Sequence, residues 1–143
     1  MRLLPADVTG DDILTACREW VEVVASGRLE DALDMLHVPD RYDQSQQWTP
    51  QSLRQYIANY GSWDARPDGR TWSVTSIATA RMRDDRPNVQ PRGDVVRFDA
   101  DPRSGSAELD LPLNGVWSDL TAQFEFEPVG NGTGLSLYDL HVL

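Results

Sequence analysis

No lysine occurs in this chain; all thirteen basic residues are arginine, a bias of composition rather than of chemistry. There is one cysteine, Cys17, so an intrachain disulfide is excluded. No run is long and apolar enough to cross a bilayer. The start, MRLLPADVTGDD, has too short an apolar part for a secretory signal, and the cytoplasm is the expected location. The two histidines, His37 and His141, stand far apart, with no HExxH and no cysteine pair, which argues against structural zinc. His37 and Asp40 are three apart, but Pro39 lies between them. Asp99 and Asp101 lack the remaining ligands of a calcium loop. The run Gly130-Asn131-Gly132-Thr133-Gly134 sits between strand-like segments, with no following helix and no lysine, so it is no phosphate cradle. A Ser-His-acid set with an elbow motif is missing. No metal and no cofactor is expected.

What is there points to a folded chain. A length of 143 residues fits one domain, 1–143, with a core that needs no staples. About 40% apolar residues and five tryptophans argue against disorder. The net charge of −10 repels nucleic acid and anionic membranes, and neither is expected as a partner. It suits a basic protein partner, though solubility alone accounts for it as well.

The segment from Trp117 to Leu143 organises the rest. Leu120, Ala122, Phe124 and Phe126 alternate with Thr121, Gln123, Glu125 and Glu127, the period of a strand with one dry face. Ahead of it, Thr9-Gly10-Asp11-Asp12 resembles a capping box with Asp in place of Glu. Ile13, Cys17, Trp20, Val21 and Val24 then form a helical stripe that Ser26-Gly27 should end. A second helix is expected from Arg28 to about Leu36. A third should start at Thr49-Pro50, carry Leu53, Tyr56, Ile57 and Tyr60, and stop at Gly61. Residues 61–71 read as loop, with a turn at Pro67-Asp68-Gly69.

From Trp72 the period changes. Trp72 to Arg81 predicts a strand, although Val74 and Ile77 fall on opposite phases and require a bulge. Val95 to Phe98 predicts another, followed by a turn over Asp101–Gly105. Ala107, Leu109, Leu111 and Leu113 alternate with acids, and Pro112 favours an edge or a strand end. Asn114-Gly115 signals a tight hairpin into the long strand. In the last strand Leu135 and Leu137 share one phase, while Tyr138, Leu140 and Val142 share the other, so a bulge is expected near Tyr138-Asp139. Helices first and strands after predict an α+β fold: two or three helices on a curved antiparallel sheet of four or five strands.

The segment WVEVVASGRLEDALDML resembles the first helices of the NTF2-like (cystatin-like) superfamily. That resemblance implies a cone in which three helices fill a bent antiparallel sheet. The C-terminal part, with Trp117, Ser118-Asp119-Leu120-Thr121 and the ending Asp139-Leu140-His141-Val142-Leu143, is similar to a family of uncharacterised small bacterial domains. Where that family carries an acidic-to-Gly-Arg segment, this chain has Leu113-Asn114-Gly115-Val116. Neither resemblance brings catalytic residues, and fold likeness alone does not imply function.

Two groups are candidate sites. Asp119, Asp139 and His141, with Ser118, are polar residues among strand apolars. Were Asp119 to meet His141 across the strands, the carboxylate would fix the histidine tautomer, as a general base requires. The plainer account has Ser118 and Asp119 capping backbone groups and His141 on a wet face. The second group is Asp40, Tyr42, Trp48, Tyr60 and Trp63, joined by Tyr56, which would line the open end of a cone and take a small apolar ligand. The plainer account makes the tyrosines core and the tryptophans covers. Cys17 lies on the apolar stripe and reads as inert.

Three functions compete. The first is a non-catalytic protein-recognition domain, like an immunity protein, offering Glu108, Asp110, Glu125 and Glu127 to a basic partner. The second is an NTF2-like small-molecule binder or acid–base enzyme of the isomerase or cyclase type, with its pocket between helices and sheet. The third is a homodimer built on a sheet face that includes Leu120 to Phe126.

Overall fold

The computed structural model describes residues 1–142, with the backbone alone at Gln46; Leu143, the end of the expected last strand, lies outside them. Helix α1, Gly10–Ala25, starts on the expected box: Asp12 N donates to Thr9 Oγ1 (3.1 Å) and Thr9 N donates to Asp12 Oδ2 (3.2 Å). Its whole predicted stripe is buried. Helix α2 is shorter than expected, Leu29–Asp34. Helix α3, Pro50–Ala58, is boxed by Thr49 and Ser52, with Pro50 in the first turn, where no intrahelical partner awaits its missing N–H.

The sheet follows, together with a strand that no pattern announced: β1, Leu4–Pro5, only two residues long. Strands β2 (Gly93–Arg97), β3 (Gly105–Leu113), β4 (Val116–Val129) and β5 (Gly132–Val142) complete an all-antiparallel sheet in the order β1-β5-β4-β3-β2. Asn114 and Gly115 both have positive φ (51° and 84°), the geometry of the tight hairpin the dipeptide signals. The sheet is bent. One slip in register falls between β4 and β5: Gln123 faces Asp139 but Phe124 faces Leu137, leaving Tyr138 as the extra residue, as the change of phase predicts. A second slip lies between β3 and β4, where Ser118 Oγ donates to Leu111 O (2.7 Å) and accepts from Leu120 N (3.1 Å). The serine thus replaces ladder bonds at the irregularity, as the plainer account of it held.

The three helices fill the hollow side of this sheet, giving an NTF2-like half-barrel cone. Leu120, Ala122, Phe124 and Phe126 point into that hollow with essentially no exposure, and Trp20 meets the Phe124 ring edge-on at 5.3 Å. Buried so completely within the chain, these side chains supply no dimer face. The interior holds Ile13, Leu53, Leu111 and Leu140 as well, so the hollow is packed.

The predicted strand from Trp72 to Arg81 does not form. Val74 makes a lone bridge to Leu113, Arg81 makes another to Val116, and Ile77–Thr79 turns as a short 3-10 helix between them. The reason is competition for backbone donors. Glu22 of α1 accepts from Ile77 N (2.8 Å), and Ser76 Oγ accepts from Ala78 N (3.1 Å), so the ladder never gains them. Pro112 stands near the end of β3, past the last residue paired with β2, and its carbonyl accepts from Thr75 N (3.0 Å).

Candidate functional site

The free edge of β5 sets up the first site. Strand β1 covers only its beginning, and an open edge invites unwanted pairing. The segment after α2 closes part of it: His37 N donates to Leu135 O (2.8 Å) and Trp48 Nε1 donates to Leu137 O (3.2 Å). The second bond fixes the Trp48 indole beside α3 and the loop after it. Trp48 then meets Tyr56 edge-on at 5.4 Å and lies nearly parallel to Trp63 at 6.1 Å, while Tyr56 and Trp63 touch at 4.6 Å. The bulge turns Tyr138 out toward the same place and sets Asp139 next to it.

The outcome is an open pocket of about 230 Å³, walled by Trp48, Tyr56, Trp63 and Tyr138, with Ser45, Gln47 and Asp139 supplying the polar groups. Trp63 is 54% exposed, so the pocket opens directly to solvent. Burial, helped by the Asp139 charge, raises the Tyr56 hydroxyl above its ordinary value. The tyrosine therefore enters as a neutral ring and the aspartate as the local charge.

A second network forms around Tyr60, just past the C-terminal end of α3. Tyr60 takes a positive φ of 59°, rare for a side chain of that size, and its hydroxyl donates to Asp119 Oδ1. Burial, then the Asp119 bond, keeps that hydroxyl protonated. Asp119 Oδ2 stands 3.5 Å from Arg83, which also holds Asp85 (2.9 Å). The Tyr60 ring packs edge-on against Trp72 at 4.9 Å.

The predicted site residues thus sort into separate places. Trp48, Trp63 and Asp139 come together in the first pocket, and Tyr60 joins Asp119 in the second network. Asp119 does not pair with His141: Asp119 is taken by Tyr60 and Arg83. His141 Nδ1 instead stands 3.4 Å from Asp139 Oδ2, an approach without hydrogen-bond geometry, and that nitrogen has no hydrogen-bond partner among the described residues. No base is therefore oriented by a carboxylate in the manner the first group implied.

Tyr42 lines neither pocket; it is buried, packs against Tyr138 behind the wall of the first, and is hydrogen-bonded to Glu125. Asp40 is exposed and lines neither pocket. The plainer account of Tyr56 and Tyr60 as core is corrected too, since both are only partly buried. Cys17 is fully buried, and burial pushes its thiol up to about 12, which removes it as a nucleophile.

The acidic row expected to face a partner is engaged within the chain. Arg41 grips Glu125 (3.1 Å) and Glu127 (2.9 Å), Arg92 reaches Glu108 (3.4 Å), and Asp110 accepts from Arg92 N (2.8 Å) and Thr121 Oγ1 (2.7 Å). Sequence reading missed Tyr138 as a pocket wall, although the phase change marking its bulge was the available signal. It also missed Arg66, Arg70 and Arg83. Arginines flanking the Pro67-Asp68-Gly69 turn were the signal there.

Among the described residues no group of three or more metal-ligating side chains occurs, and no helix is long and apolar enough to cross a membrane. No family model, curated protein or solved structure matches the chain, so the bacterial family suggested by the C-terminal segments has no support from relatives.

Proposed function

We propose that this chain is a non-catalytic binding domain whose recognition pocket is the Trp48–Tyr56–Trp63–Tyr138 group with Asp139, and that the pocket takes an organic cation. The observation that carries it is the convergence of four aromatic rings and one carboxylate on one open pocket. Aromatic faces are electron-rich, and an alkylated ammonium against them gains about 0.5–2 kcal/mol per good contact. Asp139 adds an opposite charge without closing the pocket. The net charge of −10 would draw cations toward it at low salt.

The cation belongs either to a small molecule or to a side chain of a basic protein. The second case keeps the immunity-like reading, now resting on this pocket rather than on the acidic row. The isomerase or cyclase reading has less support: the hollow is packed with Trp20, Phe124 and Phe126, and Asp119 is held by Tyr60 and Arg83 rather than by His141.

The test is a titration with choline and with its uncharged isostere 3,3-dimethylbutan-1-ol, followed by the indole N–H signals of Trp48 and Trp63. Choline should shift both saturably, and the alcohol should bind about tenfold more weakly or worse. Trp63→Ala, at an exposed position, should abolish the difference while the thermal midpoint holds. Equal binding of charged and uncharged probes would remove the proposal.

A further inference from the structure

A separate cleft of about 450 Å³ opens beside the Tyr60–Asp119 network, lined by Arg66, Arg70, Trp72, Arg83, Asp85 and Trp117 among others. Its construction is unusual for a chain with ten more negative than positive charges. Gly69 N donates to Arg66 O (3.0 Å), and Gly69 takes a φ of 73°, which closes a tight turn. Asp68 commits a carboxylate oxygen to the Arg70 amide (3.0 Å). The turn brings both arginines back over one indole: the Arg70 and Arg66 guanidinium carbons lie 4.9 and 5.6 Å from the Trp72 ring centre.

Neither guanidinium has an ion pair among the described residues, whereas Arg83 in the same cleft is held by Asp85 and Asp119. A guanidinium resting against a ring uses its face, while its N–H donors lie in its plane and stay free for a planar oxyanion. The cleft therefore offers two guanidiniums without an ion pair beside apolar walls from Trp72, Trp117, Leu113 and Val116.

The charge count selects among oxyanions. Three guanidiniums stand against Asp85 on the wall and Asp119 just behind it, leaving one positive charge. That balance suits a monoanion; a phosphate dianion would be left facing two carboxylates. We infer that this cleft is a second binding site, specific for a carboxylate carried on a flat apolar body, clamped by Arg66 and Arg70 against the Trp72 wall. Arg83 lines the same cleft but is already held by its two aspartates.

The test titrates the full chain with benzoate and naphthalene-2-carboxylate, with the two matching carboxamides, and with phenyl phosphate, reading the Trp72 indole signal and the heat of binding. At least one carboxylate should bind saturably, and its carboxamide should bind about tenfold more weakly or worse. Arg66→Gln and Arg70→Gln lie in an exposed loop, and each should weaken the carboxylate about fivefold or more with an unchanged thermal midpoint. Failure of both carboxylates to bind, equal binding of acid and amide, or intact affinity in the double glutamine variant overturns the site. Tighter binding of phenyl phosphate than of either carboxylate overturns the assigned ligand. Choline binding to the other pocket is unaffected by any of these results.

Discussion

The Tyr60 hydroxyl donates to the Asp119 carboxylate, and this bond ties the turn just past α3 to the irregular start of the central strand. Tyr60 holds a backbone conformation that costs roughly 1 kcal/mol or more for a non-glycine residue. The bond to Asp119 and the packing on Trp72 keep it there. Gly61 follows with φ of 80°, and a Cβ at that position would run into the Leu120 side chain at 2.7 Å. The chain must therefore turn sharply here, and both cavities flank that turn.

Tyr60→Phe removes the bond but keeps the ring. Because Asp119 retains Arg83, the loss should be about 1–2 kcal/mol rather than that of an orphaned charge. Urea unfolding measures it. A cost below about 0.3 kcal/mol would mean that the bond does not hold the turn.

Cys17 gives a pH prediction. Burial raises its thiol from an ordinary 9.0 to about 12, against a smaller opposing effect of Arg18. The unfolded chain releases this proton near pH 9 and the folded chain does not. Stability is thus whole below pH 9 and falls as the pH climbs toward 12, by about 1.4 kcal/mol per pH unit at most. Burial also raises Tyr42, Tyr56 and Tyr60, from 10.0, so the tyrosines add to the decline above about pH 9, and the difference between the native chain and Cys17→Ala isolates the cysteine. Denaturant midpoints should decline there for the native chain and stay flatter for Cys17→Ala. The native thiol should also resist a thiol reagent until the protein unfolds.

Gly105 gives a packing prediction. It pairs with Arg97 on one side and Phe126 on the other, and a Cβ there would collide with the Val96 carbonyl oxygen and the Phe126 ring. The bare backbone lets that ring lie across the hairpin, where Arg97 stacks on it at 5.5 Å. Gly105→Ala should cost about 1–3 kcal/mol, as overpacking does, through separation of β2 from β3. The thermal midpoint should fall by several degrees, whereas Gly10→Ala, where a Cβ meets Val95 at an ordinary 3.8 Å, should leave it nearly unchanged.

How far the sequence went follows from the range of each interaction. The alternation through Phe124, the box at Thr9, the hairpin at Asn114-Gly115 and the bulge at Tyr138 all depend on residues within a few positions of each other. Local geometry fixes them, so they are legible in the order of the residues alone. The segment from Trp72 to Arg81 has strand-like composition as well, but Glu22, more than fifty residues earlier, takes its backbone donor.

The sequence by itself determined the class of fold: helices with one apolar stripe and strands with one apolar face must bury them against each other. Only the tertiary structure decided who meets whom. Glu125 could have faced a partner, yet Arg41 and Tyr42 reach it across more than eighty residues. Asp119 could have served His141, yet Tyr60 and Arg83 hold it. A charge or a hydrogen-bonding group has no period, so its partner is set by the shape into which the whole chain folds.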